Sequence, residues 1–466
     1  MKSKTEALLR VCGLASKGPH SRRYVNLDNA ATTPAAIEVI RAVEATASVY
    51  GSVHRGSGLK SVICTELFER TLDQIRRFVG ASNDDVVLAA TNSTTAINRF
   101  VSGYGLERGG IVLISEMEHS SNDLPWRKHA TVMRVASQPS GAMDLNDLES
   151  NLKRHGRNVR LVAITGASNV NGFLSPISEI ARLVHRHGAE LFVDAAQLAA
   201  HRQIQMRTVN EESDIDYLAF SGHKMYAPFG VGVVVGRKQA FANEPPDAPG
   251  GGTIEMLTAD GQIWTSLPGR ANPGSPNLLG LVAITAAAKL LQSIGFDAIR
   301  MHEQRLVQRG LKVLSAIPEV VLHGQSMFGK DDDRLPIFPF TVRDIPFAKV
   351  AAVLGHEYSI AVRQGHLCQY EFMRRELRIS PKEQKRIEED LRNGDKSSRF
   401  GMVRASCGAC TSEDDLFALG QALQAIIRGK VTLDYRLDRA SGEYVPADGE
   451  RLDMQWIPPA LRFLFR

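Results

Sequence analysis

Six short apolar runs set the rhythm of the first half of the chain: "DVVLAAT" (85–91), "GIVLIS" (110–115), "VRLVAIT" (159–165), "AELFVDAA" (189–196), "DYLAFS" (216–221) and "VGVVVG" (231–236). Each run is continuous rather than alternating, which marks a strand buried on both faces. Helix-period segments such as "SPISEIARLVHRHG" (175–188) lie between several of them. Buried strands joined by helical crossovers predict an α/β fold, a mostly parallel sheet covered by helices. The runs also end alike, in polar or small residues: Thr91 and Asn92; Ser115, Glu116 and His119; Thr165 and Asn169; Asp194 and Gln197; Ser221, His223 and Lys224. In open α/β sheets the ligand lies beyond the carboxyl ends of the strands, so these residues are expected to converge.

Composition removes several classes of function. With 466 residues the chain exceeds the size at which a single core stops growing, so two domains are expected. Apolar content of 43% and charged content of 23% are those of an ordinary globular protein. No apolar run approaches the ~20 residues that span a bilayer, and the N-terminus lacks the apolar core of a signal peptide. A formal charge of +5 is small for this length, and the basic stretch 374–400 is mixed with acids. Neither a membrane nor a nucleic acid is expected as partner. Five cysteines without dense pairing point to free thiols and a cytoplasmic setting.

The strand-end residues define a chemistry. Ser93 and Thr94 open a helix-like segment, and hydroxyls with free N–H groups at a helix start bind phosphate. Asp194 closes a buried strand, where a carboxylate needs a cationic or N–H partner. A cofactor with an aldehyde, a pyridinium nitrogen and a phosphate meets both needs, with Lys224 holding it as a Schiff base. The plain alternative is a buried ion pair between Asp194 and Lys224. The gathering of polar residues at five strand ends favours the cofactor.

"FSGHKMYAPFGVG" (220–232) resembles the cofactor-lysine motif of the class V aminotransferase family, and specifically the group II cysteine desulfurases. "NLDNAATTP" (26–34), "GSVHRGSG" (51–58), "SEMEHSSNDLPW" (115–126), "VDAAQ" (193–197), "GSPN" (274–277), "AVRQGHLC" (361–368) and "VRAS" (403–406) extend the resemblance in order along nearly the whole chain. It implies pyridoxal 5'-phosphate on a fold type I (aspartate aminotransferase-like) scaffold. The implied large domain is 37–297; a smaller α+β domain combines the N-terminal arm, 1–36, with 298–466. By this resemblance Lys224 binds the cofactor covalently, His119 stacks on its ring, Asp194 pairs with the ring nitrogen, and Gln197 and Asn169 hold the ring oxygen. Ser93, Thr94, Ser221 and His223 go to the phosphate. Thr253 or Ser275 reaches the phosphate of a neighbouring subunit, which implies a homodimer; Ser275 is equally placed to cap the following helix. Arg404 takes the substrate carboxylate, Asn29, Ala30 and Ala31 close over it, and His54 and Arg55 lie near the mouth.

Cys368 selects the reaction. It sits in "RQGHLCQ", a flexible-looking loop with Arg363 and His366 nearby, where cations favour thiolate. The family's Arg-x-Gly-x-x-Cys form is kept, which implies a thiolate that takes sulfur from L-cysteine, releases L-alanine and passes the sulfur to an acceptor. A selenocysteine lyase or other C–S lyase is the nearest alternative; a cofactor-bound scaffold without turnover is a third. Leu367 stands where the family often has His. The stretch from Cys368 to "VRAS" is long, as in the desulfurase domain of molybdenum-cofactor sulfurases, although no molybdenum-cofactor domain is expected to follow. Within it "SPKEQKRIEEDLRN" (380–393) predicts a surface helix. Cys407 and Cys410 form a Cys-x-x-Cys pair, read first as packing and second as redox. Two ligands fall short of the four a structural zinc wants, so no metal is expected. "WIPPALRFLF" (456–465) is expected to dock on the small domain.

Overall fold

The computed structural model describes residues 23–54, 56–106, 110–138, 142–242, 246–324, 333–448 and 457–465. After a short strand β1 (Val25–Asn26), the six apolar runs become β2 (Asp85–Ala90), β3 (Ile111–Ile114), β5 (Val159–Thr165), β6 (Glu190–Asp194), β7 (Tyr217–Ser221) and β8 (Gly232–Arg237). With β4 (Thr131–Arg134) they form one seven-stranded sheet in the order β2-β8-β7-β6-β5-β3-β4. Pairing is parallel from β7 through β4, and β8 runs antiparallel to both its neighbours. The carboxyl ends of β2, β3, β5, β6 and β7 therefore share one edge, as the α/β reading requires.

Helices cover both faces. Against one face, Phe100 from the helix Ser93–Gly103 meets Tyr217 at 4.5 Å and Phe192 at 5.1 Å between ring centroids. Trp126 completes this aromatic layer, 5.4 Å from Phe192. Helices Ile37–Ser48, Leu59–Phe78 and Leu278–Ile294 pack on the other face, with Phe68, Ile75, Leu281 and Ile284 buried among them. Each such side chain contributes about 1.5–3 kcal/mol on burial.

The pair β9 (Ile254–Thr258) and β10 (Gly261–Trp264) projects as an exposed antiparallel hairpin. A second, antiparallel sheet then forms from β11 (Val320–Leu322), β12 (Ile337–Val342), β14 (Arg363–Gly365) and β15 (Met402–Ser406), in the order β11-β12-β15-β14. It has its own core, which includes Leu314, Phe338, Phe340, Leu354, Val403 and Leu419. β1 pairs with β13 (Ile360–Ala361) in a two-stranded sheet of its own, and the N-terminal arm then bridges to β15 through Asp28 and Ser406 on its way to the edge of the first sheet. Ala30 N donates to the Ser406 hydroxyl oxygen at 2.9 Å, and the Gln197 amide donates to Ala30 O at 2.6 Å. The arm thus bridges the two sheets where the strand-end residues gather.

The charged segment is a helix, Pro381–Arg392, capped by Ser380 in a capping box with Glu383 and burying only Ile387. It is the surface helix expected from its Ser-Pro start and its charge pattern. Asn277, not Ser275, caps the helix Leu278–Ile294: its side chain accepts from Gly280 N at 2.9 Å. The expected docking of 456–465 has one end, Trp456, outside the described residues; Leu461, Phe463 and Leu464 are exposed.

Candidate active site

A cavity of about 880 Å³ opens between the strand ends of the first sheet and β14 of the second. Ala30, Ala31, Ser93, Thr94, His119, Asn169, Asp194, Gln197, His223, Lys224, Cys368 and Arg404 all line it, drawn together from positions 30 to 404. The convergence expected from the strand ends is therefore physical.

At one end lies the start of the helix Ser93–Gly103. Asn92 caps it, accepting from Thr95 N at 2.9 Å. Ser221 does not line the cavity; its hydroxyl accepts from Ser93 N at 2.6 Å and ties β7 to the helix start. Gly232 presses β8 against this turn, and a Cβ there would overlap the backbone of Asn92. Gly232→Ala is expected to lower stability by about 1–3 kcal/mol as overpacking, read from the urea midpoint, and to weaken anion binding at this turn.

Asp194 is buried and accepts from Ala196 N at 2.9 Å. Burial raises its pKa, opposed by that N–H and by the charge of Lys224. Lys224 has no hydrogen-bond partner among the described residues and no ion pair with Asp194 within 4.0 Å. The plain ion-pair alternative is thus not realised. Burial lowers the Lys224 pKa to about 8; Asp194 raises it, Arg404 lowers it and Cys368 raises it. An amine of lowered pKa and an incompletely satisfied carboxylate face one cavity.

His119 accepts from Ser121 N at 3.1 Å through Nδ1. Burial, then Lys224 and Arg404, push its pKa down to about 4, so the imidazole is neutral. His223 is likewise held at about 4, by burial and then Lys224. A neutral, apolar-faced ring suits stacking on an aromatic cofactor.

Arg404 stands directly across β14–β15 from Arg363. Its Nη2 donates to Asp28 Oδ1 at 3.0 Å and its Nη1 to Asn169 O at 2.8 Å, while Nε is buried without a partner. One edge of the guanidinium is therefore unmet. Burial lowers its pKa, Asp28 opposing.

The Cys368 loop differs from its expected flexibility. Asn169 donates to Leu367 O at 2.9 Å, Ser120 N to Cys368 O at 3.1 Å, and the buried Gln369 amide to Met117 O. Leu367 and Cys368 both lie in the left-handed region, at φ +51° and +59°. Non-glycine residues adopt this conformation at a cost, and the three hydrogen bonds hold it. His366 also departs from expectation: burial and Arg399 lower its pKa, and it packs on Tyr370 with ring centroids 4.3 Å apart. It is no cation; the positive charges acting on Cys368 are those of Arg404 and Lys224.

Other expected residues fall elsewhere. The Asn29 amide is spent on Asn26 O at 3.0 Å and Ser406 O at 3.2 Å, so Asn29 anchors the arm rather than lining the cavity. His54 is exposed and stacks edge-on to Phe68 at 5.2 Å, away from the cavity; Arg55 lies outside the described residues. Thr253 is buried against Gly250 O at 2.7 Å, and neither it nor Ser275 reaches this cavity. Asn169 and Gln197 line the cavity with an amide N–H already committed to Leu367 O and Ala30 O. Cys407 is a free, buried thiol pushed well up by burial, whereas Cys410 is engaged in a disulfide. The two do not pair with each other, and the expectation of free thiols fails for Cys410. Among the described residues no His, Cys, Asp and Glu cluster could hold a metal.

Further contributors lie outside the roles that the motifs assign. Ser121 links Thr94 (2.7 Å) to His119 (3.0 Å). Asp28 partners Arg404. Glu118, buried behind β3 and β5, accepts from Asn122 at 2.6 Å and Thr165 N at 2.8 Å and bonds Ser115. Burial pushes its pKa up to about 8 despite those donors. Arg399 and the turn Ser441–Glu443 supply further wall.

The donor set fits pyridoxal phosphate: a helix start with hydroxyls, a buried carboxylate, a neutral stacking ring and an unpaired amine share one cavity. Comparison with known proteins agrees. The profile of the family described as Aminotransferase class-V matches residues 25–419. A probable cysteine desulfurase of Halalkalibacterium halodurans is 35% identical over 359 residues, 75% of this chain and 85% of that protein. A cysteine desulfurase of Salmonella dublin is 32% identical over 352 residues, 73% of this chain and 83% of its own length. Among solved structures, the apo cysteine desulfurase from Thermococcus onnurineus NA1 aligns with a TM-score of 0.74 at 27% identity, covering 87% of this chain and 95% of that one.

Proposed function

The chain belongs to the class V aminotransferase family, among the cysteine desulfurases, and from that premise we propose that it converts L-cysteine to L-alanine and moves the sulfur through Cys368 to an acceptor. The observation that carries this reading is the shared cavity: Lys224, Asp194 and His119 on one side, Arg404 and Cys368 on the other.

When bound, pyridoxal phosphate supplies the electron sink that weakens bonds around the α-carbon of an amino acid. Lys224 would hold its aldehyde carbon, Asp194 its ring nitrogen, and Ser93, Thr94 and His223 its phosphate; Ser221 supports that end through Ser93. His119 would cover the ring face. Asn169 and Gln197 would offer their amides to the ring oxygen while keeping their backbone partners.

Arg404 binds the substrate carboxylate through its unmet Nε edge. Cys368, its loop fixed by Asn169, Ser120 and Gln369, presents Sγ to the substrate's sulfur. The substrate Cβ–S bond breaks, a bond to Cys368 Sγ forms, and protons returned to the carbon skeleton complete alanine. Lys224, with a pKa near 8, exchanges such protons near neutral pH. The net change is balanced: cysteine plus thiol gives alanine plus persulfide. A lyase would need Cys368 to be incidental; its seat on the cavity wall, within the fields of Arg404 and Lys224, argues against that.

Separate hydrophobic clusters, two on the faces of the first sheet and one around the second, support the division into a large domain at 37–297 and a small one formed by the arm and 298–466. A homodimer is supported by the β9–β10 hairpin, where Met256 is 55% and Leu257 71% exposed, an apolar pair that a second copy would cover. Thr253 lies at the base of that hairpin and Ser275 follows it in the chain.

Arg404 gives the reading a direct test. Arg404→Ala is expected to cost about 2–5 kcal/mol of cysteine binding, as for one partner of a buried charge pair. That raises KM at least ~30-fold. Arg404→Lys should also be impaired, because an ammonium cannot make the bidentate contact. Steady-state alanine formation measures both, and an unchanged KM in Arg404→Ala would assign the carboxylate to another group.

A further inference from the structure

We propose that Arg399 and the turn Ser441–Glu443 form a second subsite on the cavity wall, one that admits a small anionic thiol to Cys368 and turns away bulkier sulfur acceptors. The inference rests on the sulfur-transfer reading above and names the acceptor class which that reading leaves open.

The turn joins β16 (Tyr435–Asp438) to β17 (Glu443–Pro446), beyond residue 419 where the family match ends. It nevertheless lines the same cavity as Cys368. Several contacts hold it there. Lys396 N donates to Arg439 O at 2.7 Å, and the Arg439 guanidinium pairs with Asp395. At the base of the hairpin, Thr432 donates to Glu357 through N and Oγ1 at 2.8 and 2.7 Å. Gly442 adopts φ +74° directly against the Lys396 carbonyl, where a Cβ would overlap that oxygen. The turn is therefore seated on the loop that follows the helix Pro381–Arg392, and this loop carries Arg399.

Arg399 offers what an anion requires. It lines the cavity, its Nε is buried without a hydrogen-bond partner, and it makes no ion pair among the described residues. Arg363, also on the wall, is likewise without an ion pair among the described residues. Against these two cations the rim sets Glu443; Asp194 lies at the sheet edge within the field of Lys224. A planar guanidinium with an unmet N–H suits a carboxylate or sulfonate. The docked turn is part of the cavity wall on the Arg399 side, and on the proposed reading this added wall favours a small molecule over a folded protein.

The transfer is balanced without an outside oxidant or reductant. The acceptor's thiolate attacks the outer sulfur of the Cys368 persulfide. The bond to Cys368 Sγ breaks, its electron pair stays on Cys368 as thiolate, and the acceptor departs with the extra sulfur as its own persulfide.

The test loads the holoenzyme by one turnover of ³⁵S-labelled L-cysteine. Label on the Cys368 peptide is then followed during a chase with 3-mercaptopropionate, cysteamine or reduced thioredoxin, each rate normalised to its thiolate concentration. In wild type the ratio of the mercaptopropionate rate to the cysteamine rate should exceed that of Arg399→Gln by about tenfold, the scale of one charge-assisted contact. Reduced thioredoxin should strip Gly442→Ala at least about fivefold faster than wild type, because the displaced turn opens the approach. Arg439→Ala, which removes the contact with Asp395 without adding bulk, should follow Gly442→Ala. An unchanged ratio in Arg399→Gln, or thioredoxin acting equally on wild type and both turn variants, overturns this inference alone. Absence of label on Cys368 overturns the sulfur-transfer reading and this inference with it.

Discussion

Lys224→Ala is expected to lower alanine formation by at least about 10⁴-fold, because one side chain both anchors the cofactor and moves protons. Truncation should leave the fold intact. Lys224 makes no hydrogen bond or close ion pair among the described residues, and burial already works against its charge. Losing it removes a desolvated cation, so the urea midpoint should hold or rise slightly. The phosphate end, built from the helix start at Ser93, is untouched, so the variant should still bind the cofactor noncovalently. Borohydride treatment of the wild-type holoenzyme should fix the cofactor to Lys224 and to no other lysine. Activity above about one per cent in Lys224→Ala would contradict the assignment.

The second large effect concerns Cys368. Cys368→Ala should retain cysteine binding within about twofold, since Arg404, Asp194 and Lys224 remain in place and mutations that touch only the chemical step leave ground-state binding alone. Alanine formation should nevertheless fall by about 10²–10⁴-fold, the scale of a missing nucleophile or proton-transfer group. Cys407→Ser is the matched control. Cys407 is buried, lies off the cavity, and its thiol is pushed well above the ordinary range. A thiol in that state is a poor nucleophile, so Cys407→Ser should leave alanine formation unchanged. Binding and turnover measured together separate these outcomes: a Cys368→Ala enzyme that makes alanine at the full rate would point to a lyase.

Much of the fold could be read because burial on both faces writes itself as a continuous apolar run. β2, β3, β5, β6, β7 and β8 all carried that mark. β4 did not: Thr131–Arg134 is a half-exposed edge strand of four residues, and its "TVMR" sets only two apolar residues between polar ones. The site was legible where side chains act on a ligand, as with Lys224, Asp194 and His119 at strand ends. It was illegible where side chains act on distant backbone. Asn29, Gln369 and Asn169 bond main-chain groups up to 377 residues away, and no local pattern encodes such a partner. The Cys368 loop shows the consequence. Its Gly and polar residues read as flexible, yet three long-range hydrogen bonds fix it in a left-handed conformation. His366 reads as a cation in sequence for a related reason: the burial and the neighbouring Arg399 that lower its pKa come from the fold. Asp28 had been quoted within a motif and given no role; only the approach of the N-terminal arm to β15 makes it the partner of Arg404.

Cys368 as the first sulfur carrier is tested most directly by peptide mapping. Holoenzyme is exposed briefly to L-cysteine, alkylated under conditions that preserve persulfides, digested and analysed by mass spectrometry. One extra sulfur is expected on the peptide that contains Cys368 and none on the peptides that contain Cys64, Cys407 or Cys410. An extra sulfur found only on Cys407 or Cys410, or alanine released with no sulfur retained on the protein, would contradict it.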